Sequence, residues 1–253
     1  DEKTMQLELH GRDVRGRLFG TPVDSSRVEY VYREGHSHVD NLTLFSGGAV
    51  LTAIGDIEDK QTFLFILVEQ LPAERLVRWF PVEGLTGMLD FSGSISGDIN
   101  DPDLRGTYTL ENGVYGRLHF SRMDGKCDLK KIVNRADGTF DAEFSDAGFA
   151  DLALRRINVS ATVPDSGAVR FTPLSIIQDS LTSLVCSGTY IPAGSYGEFH
   201  TVLDTLNLIY SGRRATAKDK IHIFRHGDTT LVNGIRLSTM GGEIKADLEE
   251  AIR

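Results

Sequence analysis

Apolar and polar residues alternate with a period of two along most of the chain. Across residues 89–99 the apolar residues and glycines occupy every second position, and Asp or Ser occupies each of the five positions between them. A period of two places the apolar set on one face of a β-strand. The turn-forming residues 100–103 follow, and the alternation resumes over residues 104–110. The pattern predicts an amphipathic hairpin over residues 84–113 that closes in a reversal at Asn112-Gly113.

The same alternation recurs on both sides of this hairpin, with turn signals close to every ten residues. It predicts an all-β chain in which one strand follows another, and we expect a single segment over residues 1–253. At Arg155-Arg156 the apolar phase slips by one residue, so a β-bulge or a bend is expected there. Periodicity alone is compatible with a sandwich, a barrel or an elongated stack of strands.

One segment departs from this pattern. Residues 63–68 are apolar on both faces, which predicts a cover over the side that elsewhere meets water. The next segment is the candidate cover, because Pro72 suits a first helical turn and Pro81 ends a helix. The sequence therefore predicts one short helix over residues 71–80, with Trp79 and Phe80 as its covering side chains.

Composition excludes several function classes. The chain has 36 acidic and 27 basic residues and a formal charge of -9, which disfavours a general nucleic-acid surface. Cys127 and Cys186 have no second Cys or His at metal-binding spacing, and a disulfide between them is possible but not required. No run of 18 apolar residues is present, so we expect no membrane-spanning helix.

Candidate catalytic and metal-binding groups have simpler explanations. The acidic residues at 98–103 offer oxygen ligands, but Pro102 stands where an EF-hand loop needs a ligand, so we expect a solvated turn. His36 and His38 would share one strand face, yet no third ligand is identifiable. Residues 93–97 look like a nucleophile elbow but carry Ile95 at its centre. We therefore expect no enzyme activity, no metal and no cofactor.

The hairpin carries a further pattern. A Gly-apolar-polar-Gly step at residues 84–87 precedes the alternating strand, and Ser-Gly-Asp-Ile-x-x-Pro-x-Leu-x-Gly spans residues 96–106. Together these elements resemble the repeats of the TamB and AsmA-like proteins. Residues 16–22 upstream, and 152–154 through Gly188 downstream, look like neighbouring units of the same kind.

The resemblance implies a fold and a function. It implies an elongated, curled β-sheet, open lengthwise as a β-taco trough with an apolar interior, that shields phospholipid acyl chains on the way from the inner to the outer membrane. It implies a periplasmic location, in a protein anchored in the inner membrane by a helix that this chain lacks. A TamA- or BamA-type outer-membrane barrel would be reached through parts of the protein outside this chain, so we expect an internal fragment.

The alternating apolar positions are the candidate groove lining, and glycines 93, 97 and 106 on that face would leave space for an acyl chain or for a packed partner. Without the resemblance, the same face would be the closed core of a β-solenoid or sandwich, serving a structural, adhesion or outer-membrane-protein assembly role. The predicted lining residues are Leu89, Phe91, Ile95, Ile99, Leu104, Tyr108, Leu110, Leu118, Phe120, Phe140, Phe144, Leu152 and Leu154.

Overall fold

The computed structural model describes residues 6–18, 21–34, 36–78, 84–134, 137–164, 167–192, 198–227 and 229–251. Within these residues the chain forms nineteen β-strands and one 3-10 helix. The strands are β1 Gln6–Arg12, β2 Gly16–Leu18, β3 Thr21–Val23, β4 Ser25–Arg33, β5 His36–Ser46, β6 Ala49–Glu58, β7 Gln61–Pro72, β8 Leu85–Asp98, β9 Asp103–Tyr115, β10 Leu118–Lys130, β11 Asp137–Phe149, β12 Leu152–Val163, β13 Val169–Ile177, β14 Ser183–Pro192, β15 Phe199–Tyr210, β16 Arg213–Ala217, β17 Ile221–His226, β18 Thr229–Thr239 and β19 Gly242–Ala251.

Backbone contacts group the chain into two compact units, Asp1–Asn134 and Arg135–Arg253, which we call unit 1 and unit 2. In unit 1, β1 pairs with β4, and each strand from β4 to β10 pairs antiparallel with the next. Strands β2 and β3 form a separate small hairpin beside β5. Unit 1 is thus an antiparallel meander whose neighbours in the sheet are mostly neighbours in sequence.

Unit 2 is a second meander that runs from β11 to β19 in sequence order. One position of this sheet is shared by two short strands, because β16 pairs with residues 207–210 of β15 and β17 pairs with residues 199–203. Both short strands then pair with β18 on their other side. The predicted all-β fold of curled antiparallel sheet is therefore confirmed, whereas the prediction of a single segment over residues 1–253 stays a prediction.

The predicted hairpin is present, but one of its ends differs. Asn112 and Gly113 lie inside β9, and the chain reverses at Gly116-Arg117 instead. Asn112 has a φ of 52°, a left-handed conformation that Asn tolerates better than most residues. The pair thus forms a local irregularity within β9, and the predicted reversal at Asn112-Gly113 is wrong.

The predicted helix begins later than expected. A 3-10 helix covers Ala73–Arg78, while Leu71 and Pro72 still belong to β7. The helix packs against β8 and β7, and Arg75 Nη1 donates hydrogen bonds to the Ser46 carbonyl oxygen at 3.1 Å and to Ser46 Oγ at 2.9 Å. Trp79 and Phe80 lie outside the described residues.

The predicted phase slip near Arg155 is real. Leu154 and Ile157 are both buried although they are three residues apart, so the strand changes phase between them. The ladder between β11 and β12 skips Asp146 and Arg155 together and keeps its register on both sides. Asp146 has a φ of 48°. The bend is therefore shared by both strands, rather than absorbed by a bulge on one of them.

Candidate functional site

Unit 1 carries one continuous apolar face. In the β8–β9 ladder, Leu89 lies opposite Leu110, Phe91 opposite Tyr108 and Ile95 opposite Leu104. Directly opposite residues of an antiparallel pair lie on the same face, so these rows continue through each neighbouring ladder. The apolar face of unit 1 includes Val28, Tyr30, Val39, Leu42, Leu44, Leu51, Ala53, Leu64, Ile66, Val68, Leu71, Leu89, Phe91, Ile95, Leu104, Tyr108, Leu110, Met123, Cys127 and Leu129.

Most large side chains on this face are only half-buried. Among the residues that the structure describes, Leu110 is the only large side chain with less than 2% of its surface exposed. A second packed layer would bury a whole row of such side chains, as it does in a sandwich core. On this face most of the row stays half-buried instead.

Aromatic rings lie over glycines on this face. A Cβ added at Gly93 would lie 2.7 Å from Phe91 Cζ, and one added at Gly106 would lie 2.5 Å from the same atom. A Cβ added at Gly113 would overlap the Phe120 ring. The space that Gly93 and Gly106 leave is therefore taken by a packed side chain, Phe91. Gly97 keeps open space, since the nearest neighbour of an added Cβ would be the Asp103 backbone nitrogen at 4.0 Å.

Unit 2 has an apolar face of the same kind. Ala161, Phe171 and Cys186 are buried at its centre, and half-buried apolar side chains from β11 to β15 pack around them. Leu203 extends this face, and it lies opposite Ile221 on β17. As in unit 1, the cluster is built from adjacent strands of one sheet.

The opposite face of unit 1 is polar and rich in ion pairs. Arg105 lies 2.7 Å from Asp128, and Arg122 lies 2.6 Å from Asp124. Phe63 and Phe65 are exceptions, because they belong to the doubly apolar segment and are 62% and 51% exposed on this face. Ile54, which lies opposite Phe65, is 44% exposed beside them. The cover predicted there is therefore not found within the part of the chain that the structure describes.

His36 and His38 share this polar face with Asp56. Asp56 Oδ1 lies 2.6 Å from His38 Nδ1 and 3.2 Å from His36 Nε2. The hydrogen bond with Asp56 raises the pKa of His38, and the same bond lowers the pKa of Asp56. Glu58 and Asp40 flank the two rings at 3.3 Å and 3.4 Å. The group is a solvent-exposed chain of imidazoles and carboxylates.

The acidic turn at residues 98–103 binds backbone amides. Asp98 Oδ1 accepts hydrogen bonds from the backbone and side-chain nitrogens of Asn100 at 2.9 and 3.0 Å. Asp101 Oδ1 accepts from the amides of Val133 and Asn134, and contacts with Asn134 lower the pKa of this carboxyl. These oxygens stabilise the turn, as expected from its sequence, and no group of three metal-ligating side chains occurs among the described residues.

The two cysteines are free thiols. Cys186 is 3% exposed, and burial raises its pKa to about 11. Burial also raises the pKa of Cys127, which is half-buried. A raised pKa lowers the fraction of reactive thiolate, so neither thiol has the environment of a catalytic cysteine.

The structure places most predicted lining residues on these two apolar faces. Phe140, Phe144 and Leu154 lie in unit 2, and Leu154 is 7% exposed. Ile99 is 46% exposed in the turn after β8, and Leu152 is 47% exposed at the start of β12. The role of these residues as a groove lining stays a prediction.

Two polar residues on the apolar faces were not predicted from the sequence. Thr62 in unit 1 is 5% exposed, and its Oγ1 has no hydrogen-bond partner within the described chain. In unit 2, Arg225 Nε is buried without such a partner. A signal for Arg225 existed, because the alternation of Ile221 and Ile223 continues to it with a period of two.

No described helix has the length and apolar character needed to cross a membrane. Comparisons with protein-family models, with curated proteins and with solved structures find no match to this chain.

Proposed function

We propose that this chain binds phospholipid acyl chains along the apolar faces of its antiparallel sheet, as a segment of a lipid-conducting protein of the TamB/AsmA-like kind. The observation that carries the proposal is the apolar face itself. It continues across the strands of each unit, and most of its large side chains are only half-buried. Acyl chains would supply the second layer that these side chains lack.

The energetics favour such a ligand without any catalytic group. Each methylene moved from water to an apolar surface contributes about 0.8 kcal/mol. A dozen methylenes contribute about 10 kcal/mol before the cost of immobilising the lipid. The rows of apolar side chains run across the strands, so a chain can move along a row while it exchanges one apolar contact for the next.

The location and the larger assembly rest on the resemblance alone. The proposal places the chain in the periplasm, as part of a longer protein held in the inner membrane. Its far partner would be an outer-membrane barrel of the TamA or BamA type, reached through other parts of that protein. The direction of movement and its energy source belong to those parts.

Site-specific photo-crosslinking tests the proposal. Ile95 lies on the apolar face of β8, and the adjacent Ser94 points to the polar face, where it lies opposite Phe65 and Arg105. A photoreactive side chain at position 95 should capture phospholipid in a lipid-rich bacterial host, and the same group at position 94 should capture little. Equal capture at both positions, or none at position 95, would contradict the proposal.

Native mass spectrometry provides the second measurement. The purified chain should retain phospholipid, and Phe91→Asp should lose it while Ser92→Asp, on the polar face of the same strand, should keep it. The circular dichroism of each variant should match that of the wild type. Lipid retention by a folded Phe91→Asp protein would mean that this face does not bind the acyl chains.

A further inference from the structure

Arg225 is a charged residue on an apolar sheet face. It lies opposite Phe199 in the β15–β17 ladder, in the same series as Ile223 opposite Thr201 and Ile221 opposite Leu203. Leu203 packs against the buried cluster of unit 2. Because β17 pairs regularly over these positions, the Arg225 side chain projects from the same face as that cluster.

This guanidinium has no partner within the described part of the chain. Its Nε is buried and makes no hydrogen bond, and no hydrogen bond or ion pair connects Arg225 to a described residue. Arg156 and Arg236 of the same unit lie 3.0 Å from Glu143 and 3.4 Å from Asp219. A buried N–H donor without an acceptor is costly, so the position favours an anionic acceptor that the described part of the chain does not supply.

The surroundings select the type of anion. Phe199 lies beside Arg225, and its ring centroid is 5.4 Å from that of Tyr190. In the next row of the face Ile223 lies opposite Val232, and both side chains are apolar. A small inorganic anion would leave this apolar surface in water, whereas an anionic amphiphile would cover it and pair the charge at once.

We propose that Arg225 binds the phosphate of a phospholipid whose acyl chains lie on the apolar face of unit 2; this inference rests on the proposed function. The planar guanidinium offers paired N–H donors that match two phosphate oxygens. The acyl chains extend from this point across β15, β14 and the strands beyond. Arg225 thus orients the lipid and selects for a phosphate headgroup, while the apolar rows hold any acyl chain.

The dimensions of the face agree with this arrangement. Five steps between neighbouring strands separate β17 from β11. At about 4.8 Å per step they span about 24 Å. The acyl chains of one bilayer leaflet span about 15 Å, half of the hydrocarbon core. One lipid anchored at Arg225 therefore fits on the face of unit 2.

The test uses two ligands with the same acyl chains. Dioctanoyl phosphatidylglycerol carries the phosphate, and dioctanoylglycerol lacks it. Arg225→Gln should weaken binding of the phospholipid about tenfold to hundredfold, the loss expected for a hydrogen-bonded charged group, and should leave binding of dioctanoylglycerol unchanged. Arg236→Gln, on the opposite face of the sheet, is the matched control and should change neither affinity.

The possible outcomes separate the two proposals. If the wild type binds neither ligand, the proposed function fails, and this inference fails with it. If the wild type binds both and Arg225→Gln binds the phospholipid as tightly as the wild type, only the role of Arg225 is refuted. Loss of both ligands in a variant with native circular dichroism would also refute it, because that result reports on the apolar surface and not on the phosphate.

Discussion

The apolar faces of the two units share a construction but differ in the polar atom that each one buries. Unit 1 buries the hydroxyl of Thr62, and unit 2 buries the guanidinium Nε of Arg225. A buried hydroxyl or N–H group without a partner costs about 1–3 kcal/mol. The comparison teaches that the same strand alternation can produce a face whose unpartnered buried atom is a neutral hydroxyl and a face whose unpartnered buried atom belongs to a cation.

The two faces also differ in how burial is distributed. Unit 1 has Leu110 at 1% exposure and Phe91 lying over two glycines, Gly93 and Gly106. In unit 2 burial is spread over more large side chains, with Leu154, Ile157, Phe171 and Ile221 between 4% and 9% exposed. We therefore expect unit 1 to be most sensitive to changes of volume at Leu110 and around Phe91.

The largest expected effect comes from truncation of the best-buried side chain. Leu110→Ala should destabilise unit 1 by about 2–5 kcal/mol, since it leaves a cavity. Leu206→Ala, at a half-buried position of unit 2, should cost less. Urea denaturation, followed by hydrogen exchange in each unit, measures both losses of stability. Equal losses would show that the two positions are packed equally well.

A smaller effect is expected where Phe91 covers a glycine. Gly106→Ala should destabilise the protein by about 1–3 kcal/mol, because its Cβ would lie 2.5 Å from Phe91 Cζ and 2.6 Å from the Ser92 carbonyl oxygen. Gly16→Ala has open space around its Cβ and is the control. Phe91→Leu combined with Gly106→Ala should cost less than the sum of the single changes. Strict additivity would mean that the ring and the glycine do not interact.

The labelling rates of the two cysteine thiols compare the accessibility of the two faces, and this measurement needs no destabilising substitution. Cys127 should react with a neutral maleimide at pH 7.5 before Cys186, which is 3% exposed and has a pKa of about 11. The Cys186 rate should keep rising with pH up to that value, because the thiolate is the nucleophile. Mass spectrometry after timed quenching identifies the order, and faster labelling of Cys186 would show that the face of unit 2 opens readily.

The smallest effect concerns the polar face of unit 1. The pKa of His38 is raised above 6.5 by Asp56, so its contribution to stability is complete below 6.5 and is lost as pH rises through the folded-state value. The pKa of Asp56 is lowered below 3.8, so its contribution is present above 3.8 and is lost as pH falls through its folded-state value. Because the pair is exposed, we expect less than about 1 kcal/mol.

An NMR titration measures this effect. Asp56→Asn should bring the His38 midpoint down toward 6.5. It should also remove the stability that the pair loses as pH rises above 6.5 and as pH falls below 3.8. An unchanged His38 midpoint in that variant would show that the two side chains do not form the hydrogen bond in solution.

Strand alternation was sufficient to predict an all-β fold and which side chains share a face, because a period of two is a local property. It was not sufficient to locate the reversal after β9, since Asn112-Gly113 is also compatible with an irregularity inside a strand. The Phe91 contact with Gly106 and the Asp56 contact with His38 depend on strand register. Strand register brings together residues that no local pattern relates, so these contacts could not be predicted from the alternation of residues.

The divided sheet position in unit 2 has a practical consequence. Residues 218–220 between β16 and β17 are exposed, and β15 and β18 keep their hydrogen bonds to both short strands. The sheet already accommodates an interruption of its chain at this point. A reporter peptide or a crosslinking tag inserted next to Asp219 would therefore lie at the middle of the sheet, and not at one of its ends, without removing a ladder.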